Sequence, residues 1–151
     1  MIDSLDAEVS SGIVLGEFFL SSSDGLDKEL LTSGPSGRLA CVTAEGLTPV
    51  NIASLGAILG VGSYGEIFAE CGAEHHEAES GESGVWDVPA AVRQALLTID
   101  SLEAVAQQWV ETEELQLDGW RASDGFSVLT ELSALVSRQK EGQALWYWWS
   151  I

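Results

Sequence analysis

The sequence predicts an α+β fold: a small mixed or antiparallel sheet that includes the C-terminal strand, packed by helices mainly from the second half of the chain. Three observations predict it. Two short apolar runs, residues 12–20 (GIVLGEFFL) and 144–151 (ALWYWWSI), have the length of strands and are apolar on both alternating faces. After Pro89, apolar residues recur at helical spacing. No internal repeat or linker divides residues 1–151, which match the usual size of one domain, so a single compact acidic domain is expected.

The elements follow in order. Residues 12–20 carry one charge among apolar residues and read as a strand facing core on both sides. Residues 21–37 read mostly as linker, with a helical turn or two over 24–31 and a turn at Gly34-Pro35-Ser36-Gly37. Residues 38–43 form a short strand. Thr48 followed by Pro49 fits an N-cap with proline at the first helical position, and Ile52, Leu55 and Leu59 share one helical face. Residues 63–71 form a second short helix ending at Gly72. The acidic stretch 73–84 is a loop with at most a ragged edge strand, and residues 84–88 form a strand carrying Trp86.

Pro89 opens a helix with Val92, Leu96 and Ile99 on one side. Asp100 and Glu103 have capping-box spacing before a helix that runs to about Glu114, with Leu102, Val105, Ala106 and Trp109 on its stripe. Gly119 ends that pattern and leaves Trp120 in a loop. A last helix starts after Ser123 or Asp124, carries Val128, Leu129, Leu132, Leu135 and Val136 on its stripe, and stops before Gly142. Arg138 and Lys140 lie at its electronegative end. The closing strand points Leu145, Tyr147, Trp149 and Ile151 one way and Ala144, Trp146 and Trp148 the other, so it needs cover on both faces.

Charge is the strongest functional signal. Six Lys and Arg stand against 24 Asp and Glu, a net charge of −18. A folded chain of this mass exposes roughly 7,400 Å², about one net negative charge per 400 Å². Such a surface repels nucleic acid and anionic lipid and attracts cations. Met1 to Asp6 lacks the basic and apolar regions of a secretory leader, and no apolar run approaches a membrane span. A cytoplasmic protein without direct nucleic-acid or membrane contact is expected. Cys41 and Cys71 then read as buried reduced thiols.

Tests for catalytic motifs fail. Residues 60–65 match G-x-G-x-x-G, but helix precedes them where a dinucleotide site needs a strand, and the field would repel phosphate. No kinase lysine, H-R-D or D-F-G follows. No G-x-S-x-G elbow occurs. Cys71, His75, His76 and Glu77 form the one metal-like cluster, but adjacent histidines point apart in a strand and no second ligand pair accompanies them. No catalytic residue, metal ligand or cofactor is therefore assigned, and the chain is not expected to be an enzyme.

Two acidic blocks remain. Glu66, Glu70, Glu74, Glu77, Glu79 and Glu82 form one; Asp100, Glu103, Glu111, Glu113, Glu114 and Asp118 form the other, and neither contains a base. Aromatic residues Trp109 and Trp120 accompany the second, giving the parts of a protein-binding hot spot. The partner-binding surface is assigned to Glu103, Glu111, Glu113, Glu114, Asp118 and Trp120. In physical character this combination is similar to small acidic immunity or antitoxin proteins, which block a basic nuclease toxin. No motif of such a family is present, so the resemblance implies a stoichiometric inhibitor of a basic protein and assigns no residue roles. Two alternatives stand beside it: a small metal-binding or hydrolytic protein centred on Cys71, His75 and His76, and a structural protein whose aromatic C-terminus makes a homo-oligomer.

Overall fold

Local sequence signals nucleate most elements where they were expected. The computed structural model describes residues 15–151. The start of the first apolar run and the N-terminal hexapeptide lie outside the described residues. Strand β1 spans Leu15–Ser21. After a turn of 3-10 helix at Ser23–Gly25, helix α1 (Lys28–Ser33) is capped by the Asp27 carboxylate, which accepts from the Leu30 amide at 2.9 Å. Strand β2 (Cys41–Thr43) precedes α2 (Pro49–Leu59). Thr48 caps α2 as its sequence predicts, with Pro49 in the first turn. Gly60, in the left-handed conformation at φ 77°, ends α2, and Ser63 caps α3 (Tyr64–Glu70). The glycine-rich motif is thus a helix–helix turn.

Strands β3 (His75–Glu77) and β4 (Ser83–Asp87) form a hairpin. Four helices follow: α4 (Ala90–Ala95), α5 (Leu102–Val110), α6 (Glu113–Leu117) and α7 (Ala122–Val136). Strand β5 (Ala144–Ser150) closes the chain. Several details correct the sequence reading: β2 begins at Cys41 rather than 38, and α4 ends at Ala95, short of Leu96 and Ile99. Ser101, rather than Asp100, caps α5, its hydroxyl accepting from the Ala104 amide at 3.2 Å. The predicted single helix to Glu114 breaks at Glu111-Thr112, where the Thr112 hydroxyl donates to the Trp109 carbonyl at 2.6 Å. Helix α7 starts at Ala122 because the Asp124 carboxylate reaches back to the Arg121 amide at 2.8 Å.

The sheet is antiparallel throughout, in the order β2-β1-β5-β4-β3. The last strand sits at its centre, pairing along its length with β1 and with β4. Period-two alternation then divides the core. Phe18, Leu20, Trp86, Leu145 and Tyr147 face helices α2 to α7 and form the larger cluster. Phe19, Val85, Trp146 and Trp148 face the other way, onto Leu30 of α1. Residues 26–31, expected as a helical turn or two within a linker, therefore cover the second face.

The aromatic tips are satisfied inside. Trp146 Nε1 donates to the Ser21 carbonyl and Trp148 Nε1 to the Leu31 carbonyl, each at 2.9 Å. Tyr147 donates to the Ala44 carbonyl at 2.7 Å and accepts from the Leu47 amide at 3.1 Å. Gly16 leaves the space the Tyr147 hydroxyl occupies; any Cβ there would collide with it. This tie holds the 44–47 turn, with Glu45 at its tip, against the end of the sheet.

Candidate functional site

The first two turns of α7 form a ridge between two grooves, and the sequence explains both flanks. Gly119 adopts φ 79°, which lets the chain reverse after α6. The Trp120 amide then bonds the Leu115 carbonyl at 3.0 Å. That reversal sets the half-buried Trp120 edge-on to Trp109, ring centroids 5.5 Å apart. Trp109 itself is fully buried, and its indole donates to the Asn51 carbonyl at 3.0 Å. Trp109 belongs to the core, and Trp120 alone of the two is placed to meet a partner. Gly125 brings α7 against α5: a Cβ there would press on Val110.

Trp120 opens onto a groove of about 400 Å³ between α7 and the end of β2, whose charged lining is Glu45, Asp118, Asp124 and Glu131. Across the ridge, a groove of about 350 Å³ is lined by Glu103, Gln107, Ser123 and Phe126. Phe126 is exposed. Glu111, Glu113 and Glu114 line neither groove and stand at the exposed α5–α6 corner, where Glu111 accepts from Gln107 Nε2 at 2.8 Å. Leu117, between these carboxylates and Asp118 in the chain, is 81% exposed. The six residues assigned from sequence thus fall on one stretch of surface, α5 to the start of α7, but in three settings: Glu103 in one groove, Asp118 and Trp120 in the other, and three glutamates at the corner.

Sequence reasoning missed Glu45, Asp124 and Glu131. Asp124 and Glu131 are seven apart on a helix, so their shared flank was available from spacing alone. Glu45 arrives through the Tyr147 tie, a long-range contact with no local signal.

The bases lie elsewhere with one exception. Arg121 is 3.7 Å from Asp124 and 82% exposed, so it offsets little of the groove's charge. Arg138 and Lys140 line a separate groove of about 230 Å³ with Leu20, Leu39 and Leu135, at the far end of α7. Arg38 makes a bidentate pair with Asp27, both contacts 3.0 Å. Arg138 and Lys140 thus follow the C-terminal end of α7, whose own last turn carries no base, while Asp124 lies in its first turn, where the helix dipole favours a carboxylate.

The Cys71–His75–His76 cluster is dispersed. Strand alternation puts His75 and His76 on opposite faces of β3. His75 Nδ1 lies 3.2 Å from the Gly72 carbonyl, and His76 Nε2 lies 3.0 Å from Glu74. Burial, reinforced by Asp87 and Glu70, pushes the Cys71 thiol up to about 12, which keeps it from acting as a thiolate. Both cysteines are free, and each is partly rather than fully buried. Among the described residues, no three His, Cys, Asp or Glu side chains come together as a metal site. The C-terminal aromatics lie inside the sheet, away from any free edge.

Among the described residues, no helix is long and apolar enough to cross a membrane. Comparison with protein-family models, with curated proteins and with solved structures finds no match to this chain.

Proposed function

We propose that this chain is a non-catalytic acidic binding module of the immunity or antitoxin type, which acts in the cytoplasm by covering the cationic surface of a basic protein such as a nuclease. One observation carries the reading: the surface from α5 to the start of α7 combines carboxylates on two grooves and a corner with exposed or half-exposed apolar groups, Trp120, Phe126 and Leu117. Apolar anchors accompanied by charge are the component groups of a hot spot. The two free cysteines agree with a reducing compartment.

In this mechanism the field steers a basic partner toward the start of α7. Glu111, Glu113 and Glu114 then meet lysines and arginines that would otherwise contact nucleic-acid phosphates. Trp120 and Leu117 supply the apolar contact that holds the complex once water is expelled. Steering fixes the association rate and the apolar centre fixes the dissociation rate.

Capture of basic proteins at low salt, repeated at high salt, identifies the partner. With it in hand, Glu111→Lys, Glu113→Lys and Glu114→Lys together are expected to slow association by at least about tenfold at low salt, with the difference shrinking as salt rises. Unchanged association in stopped-flow measurements removes this surface from the contact.

A further inference from the structure

Helix α3 stands out from the body. Ile67 alone of its seven residues is buried. Ile67 fits against Gly56 of α2, where a Cβ would crowd its Cδ1. The helix is therefore anchored by one side chain and a glycine notch. Its other large apolar groups, Tyr64 and Phe68, are 43% and 45% exposed. They stack one turn apart, ring centroids 6.0 Å and planes 10° apart. Neither ring joins either core cluster. A pair of parallel aromatics left in water on a protruding helix contributes little to folding and is what a docking surface needs.

Charge decides what covers it. Between Leu39 and Val92 the chain has no Lys or Arg, and the fixed charges on α3 itself are the carboxylates of Glu66 and Glu70. Glu66 and Glu70 lie on α3 itself, at the rim of a groove of about 320 Å³ floored by Val61, Ile67 and Val92. A second copy of the chain would bring the same carboxylates face to face. An anionic lipid surface would be repelled for the same reason. A cationic partner is attracted, and parallel aromatic faces beside carboxylates suit arginine in particular. Guanidinium is planar, weakly hydrated, stacks on rings and pairs with carboxylate.

We propose that the Tyr64–Phe68 ridge of α3 is a second docking surface, for an arginine-bearing segment of a partner protein. It does not depend on the α7 surface being a binding site. The test uses the full chain carrying Glu113→Gln, Glu114→Gln and Asp118→Asn, which weakens the α7 surface and leaves α3 intact. Short peptides of alternating arginine and serine, and of alternating lysine and serine, are titrated by calorimetry. Adding Tyr64→Ser and Phe68→Ser should weaken the arginine peptide by about tenfold and the lysine peptide by less. Both positions are exposed, so the variant should keep its circular dichroism and melting temperature. Equal loss for both peptides, no loss, or no binding of the arginine peptide at all overturns the proposal. So does self-association in sedimentation velocity that disappears with Tyr64→Ser and Phe68→Ser, which assigns the ridge to a second copy. Aromatic-dependent binding to phosphatidylserine vesicles assigns it to a membrane and overturns it likewise.

Discussion

The C-terminal strand and the surface from α5 to α7 both concentrate groups that are costly to place, and the chain places them by opposite rules. In β5, Trp146, Tyr147 and Trp148 are buried, yet the polar tip of each reaches a backbone partner. Along α5 to α7 the costly groups are carboxylates, most of them exposed, and among the described residues Arg121 forms an ion pair with one of them, Asp124. Interior polar atoms are positioned by folding, because leaving one unpaired costs about 1–3 kcal/mol. The surface carboxylates escape that constraint, so folding does not explain why lysines are not interspersed among them.

The largest expected effect breaks the interior half of this contrast. Tyr147→Ala removes a ring that packs between Phe18 (4.8 Å) and Trp86 (5.0 Å), and should cost about 3–5 kcal/mol. That rivals the total stability of an ordinary domain, about 5–15 kcal/mol. Tyr147→Phe keeps the ring and deletes only the tie to Ala44 and Leu47. It should cost about 1–3 kcal/mol, because a buried amide and carbonyl lose their partner. Urea denaturation measures both, and a fully stable Tyr147→Phe protein would show that the 44–47 turn is held by something else. The same variant should loosen Glu45, so the interior tie and the acidic groove are linked through one hydroxyl.

A smaller effect sharpens the surface half. Glu111→Gln, Glu113→Gln and Glu114→Gln together remove three charges without removing a packed atom. Relief of repulsion is opposed by lost dipole stabilisation, since Glu113 and Glu114 occupy the first turn of α6. Net stability should stay within about 0.5 kcal/mol of the parent, and the salt dependence of unfolding should flatten. A loss on the scale of Tyr147→Phe would mean that these carboxylates are structural, which would remove their value as a partner surface.

Legibility in the sequence followed the range of the interactions. The Thr48–Pro49 cap, the break at Gly119 and the two-faced character of residues 144–151 depend on near neighbours, and all were readable. The α5 cap was off by one residue because Asp100 and Ser101 both carry suitable oxygens, and only backbone geometry selects Ser101. Residues 24–31 were readable as a helical turn or two but not as core; what makes Leu30 core is a sheet face assembled from β1, β4 and β5. The position of β5 at the sheet centre, and Glu45 in the Trp120 groove, depend on contacts across most of the chain. In the candidate site the acidic block was legible as composition, while its division into two grooves and a corner required the packing of α5 against α7.

The smallest expected effect concerns the bidentate Arg38–Asp27 ion pair, which serves as the control for the carboxylates of the α5–α7 surface. The Arg38 guanidinium, and then the Leu30 amide, hold the Asp27 carboxyl at about 2, below its ordinary 3.8. Because the folded value is the lower one, the stabilisation is fully present above the ordinary value and is lost as pH falls toward 2. Helix α1 covers the second sheet face, so its first turn should loosen in that window and not at neutral pH. Carboxyl NMR titration reads the Asp27 midpoint directly, and the Leu30 amide shift should follow it. Arg38→Gln should raise the midpoint toward 3.8 without restoring it fully, since the Leu30 bond remains. An Asp27 that titrates at the ordinary value in the parent protein would show that the pair is not formed in solution. Arg38 would then be free, and the contrast between paired and unpaired carboxylates on this surface would disappear.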